Sequence, residues 1–117
     1  MTIAVYGIPN CDTVRKARKW LEQQGVTFEF IDVRKQPVAA TTLQAWLTAL
    51  GRDTVINKKS TAWRQLTQEQ QQMTSDEAAI ALLQDYPTLM KRPLLAAHGH
   101  YLAGFQETLW QAAVEQR

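Results

Sequence analysis

The first 32 residues alternate in a way that leaves few folds open. Ile3–Gly7 is a short apolar, β-prone run, and Gly7, Pro9 and Asn10 are turn residues. From about Cys11 to Gln24 the apolar side chains recur at helical spacing, with Val14, Ala17, Leu21 and Trp20 on one side. Gly25 is placed to stop that helix. A second β-prone run, Phe28–Asp32, follows. Two strands joined through one helix predict a parallel βαβ unit with a right-handed crossover.

The middle of the chain reads differently. Thr41/Thr42 opens a helix through Leu43, Trp46, Leu47 and Leu50, stopped by Gly51. Thr54–Asn57 reads as a link, Trp63–Leu66 as one helical turn, and Thr67 as a cap on the polar run Gln68–Gln72. Ser75-Asp76-Glu77 starts another helix, with Ala78, Ala79, Leu82 and Leu83 apolar, which Tyr86-Pro87 ends. Strands return at Pro93–Ala97 and Tyr101–Ala103, flanking a tight turn at His98-Gly99-His100. Phe105–Val114 is a last helix, with Leu109, Trp110 and Ala113 inward. The expected architecture is α/β: βαβ, a helical insertion over about 40–90, then ββα, in one domain spanning 1–117 with a four-stranded mixed sheet.

The totals limit function. A chain of 117 residues can bury a full core without disulfides or metals. A net charge of +2 gives no electrostatic case for nucleic acid or a membrane surface. No stretch approaches the ~18 apolar residues of a membrane span. One cysteine excludes an intrachain disulfide and fits a reducing compartment, so the cytoplasm is the expected location. A monomer is the expected state, which the cysteine count does not itself decide. His98 and His100 are read as exposed turn residues, because two ligands do not make a zinc site. Trp20, Trp46, Trp63 and Trp110, all at helical spacings, are expected in the core.

Cys11 carries the chemistry. It follows Gly-x-Pro-Asn, where a strand hands over to a helix, rather than lying inside an apolar strand. A thiol at a helix N-terminus faces unpaired backbone N–H groups and the positive end of the helix dipole. Both favour thiolate, which is the nucleophile. Arg15, one turn on, adds positive charge, while Asp12 opposes it. A second informative element is Lys91-Arg92-Pro93-Leu94-Leu95. A proline is tolerated at the start of a strand, and the residues alone leave its peptide bond open to cis or trans. Arg92 reads either as a solvated side chain or as a cation held beside that proline.

Four collinear blocks carry a family resemblance across essentially the whole chain. They are Tyr6-Gly7-Ile8-x-Asn10-Cys11-Asp12-Thr13 with Arg15-Lys16-Ala17, Thr61-x-Trp63-Arg64-x-Leu66, Lys91-Arg92-Pro93-Leu94, and Gly104-Phe105. The chain resembles the arsenate reductase / Spx / YffB family of thioredoxin-fold (glutaredoxin-like) proteins, nearest to the YffB-type branch. The resemblance implies a nucleophile at Cys11, a basic residue at Arg15, an arginine at Arg92 and a cis proline at Pro93. The histidine that arsenate reductases carry four residues before the cysteine falls on Gly7. Their second oxyanion-binding arginine falls at or near Asn57, beside Lys58 and Lys59, and their third near Gly104-Phe105. Many Spx proteins carry Cys-x-x-Cys, whose second position here is Val14. Gly104-Phe105 resembles the Spx branch and equally suits a packing aromatic after a tight turn, which is the expectation here.

The function implied is a glutathione-dependent monothiol reductase. Cys11 and Arg92 are its catalytic candidates, and Asn10, Arg15, Lys58, Arg92 and Pro93 would hold the substrate or glutathione. No bound cofactor or metal is expected; glutathione is the co-substrate, and glutathione or glutaredoxin the partner. Two alternatives follow from the same resemblance. One is an arsenate reductase using glutathione and glutaredoxin. The other is an Spx-like regulator that binds RNA polymerase without catalysis.

Overall fold

A computed structural model describes residues 2–115, which fall into two compact units. The first comprises the residues up to Val33 and those from Arg92 on; the second is Arg34–Lys91. The first contains strand β1 (Ala4–Gly7), helix α1 (Asp12–Gln23), strand β2 (Glu29–Asp32), strands β3 (Leu94–Ala97) and β4 (His100–Ala103), and helix α7 (Glu107–Glu115). The second holds α2 (Ala40–Leu50), α3 (Arg52–Val55), α4 (Thr61–Gln65), α5 (Gln68–Gln71), α6 (Asp76–Asp85) and a 3-10 turn at Pro87–Leu89.

The sheet order is β2-β1-β3-β4. β1 and β2 are parallel, whereas β1–β3 and β3–β4 are antiparallel. This is the thioredoxin-like arrangement that the alternation at both ends of the sequence predicts. Side chains alternate across the sheet, so Ile3, Val5, Leu95 and Ala97 point to one face. There they meet Ala17, Trp20 and Leu21 of α1 and Trp110 and Ala113 of α7 in a single core.

α1 ends in a Schellman motif. Gly25 has φ 70°, its N–H donates to Glu22 O (3.1 Å), and Val26 N–H donates to Leu21 O (3.0 Å). The β3–β4 hairpin turns through two residues, His98 (φ 51°) and Gly99 (φ 81°), the positive-φ pair of a type I′ turn. His100 therefore opens β4 opposite Ala97 and is exposed, while His98 is half-buried.

Several expectations are corrected. Thr54–Asn57 is not a plain link: Gly51 (φ 84°) ends α2 and its carbonyl accepts the Val55 N–H, so a new helical turn begins at Arg52. α2 starts at Ala40, capped only by the backbone of Ala39. The turn expected at Trp63–Leu66 begins earlier, at Thr61, because the buried Ser60 hydroxyl accepts the Trp63 N–H (3.0 Å) and donates to Asn57 O (2.7 Å). α7 begins at Glu107 rather than Phe105, and Leu109 is 49% exposed rather than inward. Trp63 is half-buried, with the Lys58 ammonium 5.7 Å from its ring centroid. The other three tryptophans are core residues.

Within the second unit α2 packs on α6, and Leu43, Trp46 and Leu47 of the one and Ala79, Leu82 and Leu83 of the other are buried. Ile56 and Met90 form an isolated antiparallel bridge, with Asn57 N–H on Leu89 O and Lys91 N–H on Val55 O. Thr67 and Gln70 complete a capping box on α5. No helix among the described residues is long and apolar enough to cross a membrane.

Candidate functional site

Register assembles the site. Gly7 at the end of β1 pairs with Asp32 at the end of β2, and Tyr6 pairs with Leu94 at the start of β3. The last residues of β1 and β2 and the first of β3 thus share one end of the sheet. Four residues past Gly7 comes Cys11; immediately before Leu94 come Arg92 and Pro93. This is the carboxyl end of the parallel pair, where open α/β sheets place their ligands.

Cys11 is the N-cap of α1, with extended backbone (φ −99°, ψ 127°). Its N–H donates to Ile8 O (3.4 Å), and its carbonyl accepts the Arg15 N–H (2.9 Å). The side chain makes no capping hydrogen bond. An Asp or Ser here would spend its oxygen on a first-turn N–H; the thiol does not, so it is a half-buried free cysteine at the positive end of a twelve-residue helix. Asn10 is exposed in the turn before it.

The basic residues are placed differently from one another. The Arg15 guanidinium is hydrogen-bonded to the Asp12 carboxylate, one turn back on the exposed face of α1. Arg18, the next turn, lies 4.0 Å over the Phe30 ring of β2. Arg92 is half-buried and Pro93 is fully buried. The Arg92–Pro93 bond is cis, as the resemblance implies, and the Pro93 carbonyl accepts the Gly104 N–H (2.8 Å). Lys58 belongs to the second unit, where its ammonium is 3.3 Å from the exposed Asp53 carboxylate.

Three positions bear on oxyanion chemistry. A Cβ at Gly7 would stand 2.8 Å from Val14 Cγ2, so a histidine at this position would force the Val14 side chain or α1 to shift. Asn57 serves the local backbone, its Oδ1 accepting the Lys59 N–H (3.0 Å). Gly104 (φ 80°) accepts the Trp110 indole N–H at 2.9 Å, and Phe105 packs edge-on to Trp110 (5.0 Å) and Trp20 (5.7 Å). Phe105 is thus a packing aromatic.

Asp32 was not singled out by sequence, although it is half-buried at the same end of the sheet. The available signal was an acid closing an apolar strand. One more titratable group stands out: the Tyr6 hydroxyl is pushed above its ordinary range by burial first, then by Tyr101 and Glu29. No cluster of three or more His, Cys, Asp or Glu able to hold a metal occurs among the described residues.

Comparison with known proteins agrees with this geometry. The model of the ArsC family matches residues 6–113. An uncharacterized protein of Haemophilus influenzae is 40% identical over 111 residues, covering 95% of this chain and 97% of its own. Global transcriptional regulator Spx 2 of Oceanobacillus iheyensis is 28% identical over 109 residues, 92% of this chain and 79% of its own. The solved structure of a YffB protein superposes with a TM-score of 0.91 at 34% identity, covering 97% of this chain and 99% of its own. An arsenate reductase (ArsC) related protein from Brucella melitensis superposes at 0.74 with 32% identity, covering 99% and 97%. A match over residues 6–113, with a lone cysteine capping α1 and a cis Arg92–Pro93 bond at the same end of a mixed sheet, makes this chain a member of the ArsC family.

Proposed function

We propose that the chain is a monothiol reductase in which Cys11 is the nucleophile and glutathione the reductant. The supporting observation is that Cys11 caps α1 while its side chain is left out of the cap. A Cys11 thiolate attacks one sulfur of a disulfide R–S–S–R′; that S–S bond breaks, Cys11–S–S–R forms, and R′S⁻ leaves and takes a proton from water. The chain has no second cysteine to resolve this adduct. A glutathione thiolate therefore attacks the R sulfur and frees Cys11 as thiolate. A second glutathione converts the glutathione–R disulfide to oxidised glutathione and RSH. One disulfide is reduced and two glutathiones are oxidised.

Arg92, half-buried at the same end of the sheet, is the cation we assign to a glutathione carboxylate. Asn10 would border the same ligand, and Pro93, expected in the same role, is fully buried and would act only by holding Arg92. Arg15 is paired with Asp12, and Lys58, in the second unit, with Asp53. Turnover of a small disulfide with glutathione tests the reading. The native chain should turn over, and Cys11→Ser should abolish turnover while folding normally. Equal rates for the two chains would refute it.

Two further readings rest on the named relatives. Arsenate reduction through a Cys11 adduct is suggested by the arsenate reductase related protein. Against it stand Gly7 and Asn57 where the resemblance requires histidine and arginine, since a tetrahedral oxyanion needs fixed, bidentate donors. Arsenate turnover with glutathione and glutaredoxin, lost in Cys11→Ser, would favour it. An Spx-like regulator is suggested by the Spx relatives. Its mark would be retention of RNA polymerase by both the native chain and Cys11→Ser.

A further inference from the structure

The second unit presents a surface that thiol exchange does not use. A groove of about 480 Å³ opens beside α5 and α6, floored by Met73, Ala78, Ala81 and Leu82, with Glu69 on one wall. Ala78, Ala81 and Leu82 share one helix face, and Asp85 continues that face a turn further. Glu69 and Asp85 are exposed, and neither has an ion-pair partner among the described residues. Arg52 and Lys58, in the same unit, pair with Asp76 and Asp53 rather than with either of these carboxylates.

We propose that this groove docks a basic amphipathic segment of a partner protein. Its apolar side chains would seat over Met73 and Leu82, and its Lys or Arg side chains would meet Glu69 and Asp85. The floor alone would accept any apolar group. Two exposed carboxylates that make no ion pair select the sign of the occupant: an acidic segment is repelled and a basic one attracted. Methionine suits such a floor because its unbranched thioether adapts to different side chains. Ridges spaced i, i+3 and i+4 on an incoming helix would match a groove floored by α6. The proposal stands independently of the role of Cys11.

The test titrates the isotopically labelled full chain with a short synthetic helical peptide carrying Leu on one face and Lys on the other, followed by amide resonances. Shifts should concentrate at Glu69, Met73, Ala78, Ala81, Leu82 and Asp85. A Glu69→Lys/Asp85→Lys chain with unchanged thermal stability should bind about tenfold more weakly, as expected for two exposed charge pairs reversed. Peptides with Glu for Lys, or Ser for Leu, should leave the groove resonances in place. Equal binding of the Glu and Lys peptides, shifts centred on another surface, or no shifts at all would each overturn the proposal. So would movement of the groove resonances with chain concentration alone, which would make the occupant a second copy.

Discussion

Gly7 on β1 and Val14 on α1 are in such close approach that a Cβ on Gly7 would stand 2.8 Å from Val14 Cγ2. This fixes how α1 leaves the sheet at the end where Cys11 begins the helix. Gly7→Ala should therefore destabilise the chain by about 1–3 kcal/mol through overpacking, less about 0.5 kcal/mol of unfolded-state entropy. Val14→Ala opens the needed space, so the double variant should recover part of the loss, with a coupling of about 1 kcal/mol in a urea-denaturation cycle. Strict additivity would show that the contact does not hold the helix.

Phe105 stacks edge-on between Trp20 and Trp110. Phe105→Ala should cost about 2–3 kcal/mol, and Phe105→Leu about half of that. If Phe105 instead served a partner, both variants would melt like the native chain.

Loss of the Thr67 hydroxyl removes half of the capping box on α5. Thr67→Ala should cost about 1 kcal/mol. In amide exchange the loss should appear at Gln70 and Gln71, with β1 protected as before.

Burial raises the Tyr6 pKa, so the folded chain prefers the neutral phenol. A raised value means that this contribution to stability is complete below the unfolded value of about 10 and is lost as pH climbs through the folded one. Ultraviolet titration should show a late-ionising component that Tyr6→Phe removes, together with part of the stability loss in alkali. A titration curve unchanged by Tyr6→Phe would contradict this.

Much of this was legible in the sequence because it is written locally. Gly25 marks the end of α1 and supplies the positive φ of its Schellman motif. The turn at His98-Gly99 sets the β3–β4 register. Cys11 after Gly-x-Pro-Asn located the thiol at the helix start, and the family blocks placed Arg92-Pro93 at the same end of the sheet. What was not legible depends on contacts between distant residues. Nothing local says that Leu109 lies on the open side of α7. The helical turn at Arg52–Val55 depends on Gly51 closing one helix and starting another, and a stop signal alone does not show the second use. Asp32 joins the site only through the β1–β2 register, which no single segment encodes.

The most direct test of the central claim is intact-mass spectrometry of the native chain after incubation with oxidised glutathione. The account predicts a gain of one glutathionyl group at Cys11, absent in Cys11→Ser and removed by reduced glutathione or glutaredoxin. A Cys11 that stays unmodified, or an adduct that neither reductant releases, would contradict it.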